Sequence, residues 1–266
     1  MSVEPDQPIK LTRDGAVATI WLDRPDKRNA MSYAMWGSLE ELTSRLGSDP
    51  EVRVVVLRGA GPHFCAGADI TELNVQRGAG QRAFAEVGLA AETALATIAK
   101  PTVAFISGDC IGGGCALAID CDIRIAIRGA RFGITPAKLG IVYPSASLER
   151  ATHLLGPAAT KRLLFTGDLI DTDEALRIGL VDEVVETATG DERLATLTGV
   201  LAGRSLLTQA ATKAMVADVV AHGWVRPEVE HQWNQSAAAA GDAAEGIAAF
   251  VEKRSPRFTW SGHDAS

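Results

Sequence analysis

Two rhythms of apolar residues alternate along this chain. Over residues 9–22, polar and apolar positions alternate on either side of Asp14 and Gly15, which predicts two antiparallel strands joined at that turn dipeptide. Met35, Leu39, Leu42 and Leu46 then recur at helical spacing behind Ser32, a residue suited to capping a helix. Residues 52–57, 101–107 and 122–127 are short runs rich in β-branched and apolar residues, as expected of strands covered on both faces. Helical stretches separate them, so the pattern predicts an α/β fold of parallel strands with helical crossovers.

Beyond about residue 145 the pattern becomes helical. Residues 148–155, 158–165 and 172–178 read as helices divided by Gly and Pro, with one short strand at 181–185. Residues 191–221 and 228–253 are Ala-rich and mostly helical. They carry little bulk to bury alone, so this tail is expected to pack on a neighbouring subunit.

Composition narrows the function classes. The 266 residues are 47% hydrophobic, enough for one large domain or a domain with a helical appendage. A net charge of −7 argues against a nucleic-acid binder. The start MSVEPDQPIK lacks a secretory pattern, and no run of about 18 apolar residues spans a membrane, so a cytoplasmic protein is expected. Cys65, Cys110, Cys115 and Cys121 lack paired metal-site spacing, and are expected to be small, buried and reduced.

Two segments carry candidate chemistry: FCAGADI at 64–70 and GDCIGGGCALA at 108–118. Each follows a predicted parallel strand at its carboxyl end, where α/β proteins bind ligands. The glycines at 112–114 read as a loop opening a helix, whose first N–H groups have no partner and lie at its positive end. Such donors suit a carbonyl oxygen that is gaining charge. Alone, the glycines fit a structural turn equally well. No Walker loop, GxGxxG or GxSxG elbow is present.

Taken together, these segments resemble the crotonase (enoyl-CoA hydratase/isomerase) superfamily over nearly the whole chain. The matching landmarks are RPDKRNA at 24–30, FCAGAD at 64–69, GGG at 112–114, CDIR at 121–124, FG at 132–133, LG at 139–140, LLFTG at 163–167, residues 175–181 and FVEKR at 250–254. The resemblance implies a spiral of ββα turns over residues 1–200. It implies a helical region at 201–266 that mediates homotrimers, often paired into hexamers. It assigns an oxyanion hole to the N–H groups of Ala68 and Gly113. It places coenzyme A, as part of the substrate and with no separate cofactor or metal, against Lys27, Arg28, Ala30, Ala66, Asp69 and Ile70. Phe250 and Lys253 would contribute from an adjacent subunit.

Hydratases of this family use two glutamates, one to activate water and one to deliver a proton. Those positions fall on Ala116 and Pro136, neither of which moves a proton. A two-carboxylate hydration is therefore not expected. The stretch TPAKLGIVY at 135–143 resembles that of methylmalonyl-CoA decarboxylase, in which loss of CO₂ generates the enolate without a base. There Tyr143 would orient a carboxylate or protonate the product, although that enzyme keeps the first glutamate. Three readings follow: an acyl-CoA lyase or isomerase with unusual acid–base groups, a malonyl-type decarboxylase using Tyr143, or a non-catalytic acyl-CoA binder. Asp120, Glu149, Glu86 and Glu92 are candidate substitute carboxylates, each with an ordinary reading as a capping, paired or solvated group. His63 is the histidine nearest the site, and reads as a loop residue.

Overall fold

The computed structural model describes residues 8–73, 75 and 81–262. The first seven residues, on which the leader reading rests, lie outside them, as do residues 74 and 76–80.

Six strands form the main sheet in the order β1-β2-β3-β4-β6-β8. β1 (Ile9–Asp14) and β2 (Val17–Leu22) are the antiparallel hairpin. Asp14 pairs with Val17, so the connection consists of Gly15 and Ala16, one residue later than the expected Asp14–Gly15 turn. Gly15 takes the positive φ of 53° that this reversal requires. β3 (Val54–Gly59), β4 (Thr102–Ile106), β6 (Ile123–Ile127) and β8 (Glu183–Val185) run parallel from β2. All of β4 is buried, as a parallel strand covered on both faces requires.

Between these strands lie α1 (Tyr33–Gly47), α2 (Phe84–Thr97), α3 (Gly113–Asp120) and α5 (Thr172–Arg177). Met35, Leu39, Leu42 and Leu46 form the buried stripe of α1, and Ser32 Oγ accepts the Met35 N–H at 3.2 Å. Ser32→Ala is expected to destabilise the fold by about 1 kcal/mol, read from the urea midpoint at constant m-value. A second, two-stranded parallel sheet pairs β5 (Asp109–Ile111) with β7 (Arg131–Gly133). The units β4–β5–α3 and β6–β7–α4 are the repeating ββα turns.

The two helices expected at 148–155 and 158–165 follow one another directly within α4 (Ser145–Thr166). Gly156 (φ 75°, ψ 164°) is non-helical and divides them immediately before Pro157. α6 (Gly190–Ala202), α7 (Leu206–His222), α8 (Pro227–Ala240) and α9 (Asp242–Val251) complete the chain. Leu206, Leu207, Ala210 and Trp260 form a small separate core there, while Trp224, Ile247, Phe250 and Val251 stand exposed.

The four cysteines are buried free thiols, and burial pushes Cys65 up to about 12. Among the described residues, no helix is long and apolar enough to cross a membrane.

Candidate active site

Both glycine-bearing segments converge on one cavity of about 280 Å³. Residues 66–68 form its first rim. Met31 N–H donates to Gly67 O at 2.7 Å and Asp69 N–H donates to Met31 O at 2.9 Å, which pins the loop on both sides of Ala68. Residues 112–114 form the second rim. Gly112 (φ 56°) donates to Gly133 O at 2.7 Å, and Gly113 begins α3. Among the described residues, neither the Ala68 nor the Gly113 N–H has a hydrogen-bond acceptor.

Close backbone approach dictates the small residues. A Cβ at Gly67 would lie 2.8 Å from Ile111 O and 3.3 Å from Gly113 N. A Cβ at Gly114 would lie 2.3 Å from Cys65 O. A Cβ on Gly113 would sit 3.6 Å from Ala68 N and 3.4 Å from Trp36 Cζ2. Hence both N–H groups border a single spot beside the Trp36 indole, and only small residues bring them there.

Ala66, Ala68, Ile70, Gly113 and Tyr143 all line this cavity, as do Ala116 and Pro136. The two positions at which the resemblance would place glutamates thus line the same cavity as the two glycine-bearing segments. Lys27, Arg28, Ala30 and Asp69 do not line it, although Asp69 directly follows its rim residue Ala68. Arg28 takes a left-handed conformation after the turn at Pro25–Lys27, and its carbonyl accepts the Ala66 N–H at 2.9 Å. Arg24 joins Ala30 O at 2.9 Å to the Asp69 carboxylate at 3.1 Å. Phe250, 86% exposed on α9, and Lys253 just beyond it are not cavity residues within the single chain.

The far wall is polar, and sequence reasoning found only part of it. Glu92 of α2 is 7% exposed and lines the cavity. Its Oε2 accepts from Ser147 Oγ at 2.6 Å and lies 3.7 Å from Arg150 Nη1. The same Arg150 nitrogen is 3.2 Å from Oδ1 of Asp120, which is buried at the end of α3 and does not line the cavity. Burial raises Glu92, opposed by the Ser147 bond and the Arg150 charge. Burial and the charge of Glu92 push Asp120 well above the carboxylate range. The one guanidinium opposes the rise in both carboxyls.

Tyr143 joins this wall. Burial and the charge of Glu92 push its phenol well above its usual value, so it remains a donor. Its buried hydroxyl has no hydrogen-bond partner among the described residues. An unmet buried hydroxyl in a cavity calls for an acceptor there.

Three other candidates do not line the cavity. Glu86 accepts the Ala83 N–H at 2.8 Å at the start of α2, Glu149 is exposed and outside the cavity, and His63 Nδ1 accepts the Asp109 N–H at 3.0 Å. Ser147 and Arg150 had no sequence signal except their spacing of three on α4 beside the Tyr143 loop.

Comparison with known proteins gives concordant matches. The family model described as Enoyl-CoA hydratase/isomerase matches residues 12–261. The crotonyl-CoA hydratase of Syntrophomonas wolfei is 32% identical over 257 residues, covering 94% of this chain and 97% of that protein. A solved enoyl-CoA hydratase/carnithine racemase from Magnetospirillum magneticum superposes with a TM-score of 0.90 at 35% identity, covering 96% of each chain. A putative enoyl-CoA hydratase/isomerase family protein from Hyphomonas neptunium gives 0.88 at 36% identity, covering 96% of this chain and 98% of that one.

Proposed function

The chain belongs to the enoyl-CoA hydratase/isomerase family, and from that premise we propose that it binds an acyl-CoA thioester and stabilises its enolate with the N–H groups of Ala68 and Gly113. The observation that carries this reading is the pair of unpartnered N–H groups bordering one spot in an otherwise largely apolar cavity. Donors fixed by the backbone need no reorganisation when charge develops, and each contributes about 3 kcal/mol to the transition state. Gly113 also stands at the positive end of α3.

Coenzyme A would lie along Lys27, Arg28, Ala30, Ala66, Asp69 and Ile70, where the basic side chains would meet its phosphates. Phe250 and Lys253 would join from a neighbouring copy. The exposed apolar residues of α7 and α9 support a homo-oligomer, trimer or hexamer, and a cytoplasmic location remains part of the proposal.

Water addition through two carboxylates is not part of this reading, because Ala116 and Pro136 occupy the cavity-facing positions. A second reading, decarboxylation of a malonyl-type thioester, has the unpartnered Tyr143 hydroxyl in its favour. Against it, a substrate carboxylate would be buried beside Glu92 with Asp120 behind, and Arg150 is shared between those two already.

The test offers crotonyl-CoA, 3-hexenoyl-CoA and methylmalonyl-CoA in parallel, with binding of each followed by calorimetry. Binding together with double-bond migration is expected. CO₂ release that disappears in Tyr143→Phe would replace this reading with decarboxylation. Binding without turnover of a broad thioester panel would leave an acyl-CoA-binding protein, and no binding at all would overturn the proposal.

A further inference from the structure

The enolate reading leaves its proton transfers without a group, since the two expected positions carry none. We infer that Glu92 is the catalytic acid–base residue of this site, transferred from the α3 position to the facing helix α2, and that Ser147, Arg150 and Asp120 position it. This inference rests on the acyl-CoA reading above.

Four observations carry it. Among the described residues, Glu92 is the one carboxylate that lines the cavity containing Ala68 and Gly113. It is buried, with Oε2 held by Ser147 and Arg150, while Oε1 has no hydrogen bond within the described protein and remains for the cavity. Ala116, also lining the cavity, ends at its methyl, so α3 places no side chain where a substrate carbon and the Glu92 carboxylate would meet. The Tyr143 hydroxyl, buried without a partner on the same wall, independently points to a ligand acceptor there.

The charge balance fits a base. The groups facing Glu92 are Ser147 and Arg150 on α4, Asp120 on α3 and Tyr143 on the loop before α4. Burial raises both carboxyls, and Glu92 is accordingly more basic than a solvated carboxylate.

A lone carboxyl suits a reaction in which the proton removed is returned. On a 3-enoyl thioester, Glu92 takes a proton from Cα. The C–H pair forms the Cα–C1 double bond, and the carbonyl oxygen takes the charge between the two N–H groups. The proton then goes from Glu92 to Cγ, the double bond settles between Cα and Cβ, and nothing is added or oxidised. The substrate class is accordingly a thioester with an exchangeable α-proton.

The test follows α-proton exchange of butanoyl-CoA and 3-hexenoyl-CoA in D₂O by mass spectrometry, alongside calorimetric binding. Wild-type protein is expected to bind and exchange, and Glu92→Gln to bind equally while exchanging about 10²–10⁴-fold more slowly. In Ser147→Ala, loss of a bond that favours the ionised carboxylate moves the acid limb of the exchange profile to higher pH. That readout stands even where Glu92→Gln fails to fold. Wild-type exchange in a folded Glu92→Gln variant, or an unshifted profile in Ser147→Ala, overturns the assignment. Binding without exchange in wild type also overturns it while leaving the thioester site intact. Absence of binding would instead defeat the acyl-CoA reading itself.

Discussion

Gly113→Pro is expected to lower turnover of an accepted acyl-CoA by about 10²–10³-fold in a protein that remains folded. Gly113 is the first residue of α3, where a missing N–H interrupts no helical bond and the fixed φ of proline suits the backbone. The substitution deletes one of the two cavity donors. It also adds carbon where a Cβ would already lie 3.4 Å from Trp36 and 3.6 Å from Ala68 N. Steady-state kinetics with thermal melting separate the outcomes. Undiminished kcat in a folded variant would remove the Gly113 N–H from catalysis. A collapse of Tm would make the effect structural.

Asn29→Ala is the change expected to cost most stability, about 3 kcal/mol or more. Asn29 is fully buried. Its Nδ2 donates to Ala60 O at 2.9 Å and His63 O at 2.7 Å, and its Oδ1 accepts the Arg24 N–H at 2.9 Å. Alanine leaves three half-buried backbone groups unmet, each costing about 1–3 kcal/mol unless water reaches it. It also places a Cβ without local compensation at φ 57°, a region that asparagine tolerates. Asn29→Gly relieves the backbone and not the hydrogen bonds, so it should recover only a fraction. Urea denaturation measures both, and a midpoint unchanged in Asn29→Ala would refute the clamp. Because the clamp ties residues 24–29 to 60–63, Asn29→Ala should also weaken acyl-CoA binding at the adjoining Ala66–Ala68 rim.

Much of this architecture was legible along the chain because it rests on local periodicity. The stripe on α1, the apolar runs of β3, β4 and β6, and the Ser32 cap each follow from spacing within a few residues. The glycine segments were legible for a related reason. Gly67 and Gly114 stand where a side chain would strike a carbonyl oxygen, and so they mark a close approach of two backbones. The division of α4 was legible for the same local reason, since Gly156 lies outside the helical region and Pro157 cannot continue the preceding helix. The turn at Gly15–Ala16 was missed by one residue because register is a property of the strand pair.

The sequence by itself determined the family, the run of parallel strands, and the two segments whose N–H groups border the cavity. It also determined that Ala116 and Pro136 hold no proton, a fact of side-chain chemistry that no fold can alter. Only the tertiary structure decided which carboxylate faces the cavity. Asp120, Glu149, Glu86 and Glu92 were alike as residues in a string. The packing of α2, α3 and α4 made Glu86 a cap, left Glu149 in solvent, and enclosed Asp120 behind Arg150. It set Glu92 into the wall opposite the glycines, bonded to a serine 55 residues away. Burial and charge act through space, so the chemical character of a carboxyl is fixed by neighbours that the chain brings together only on folding.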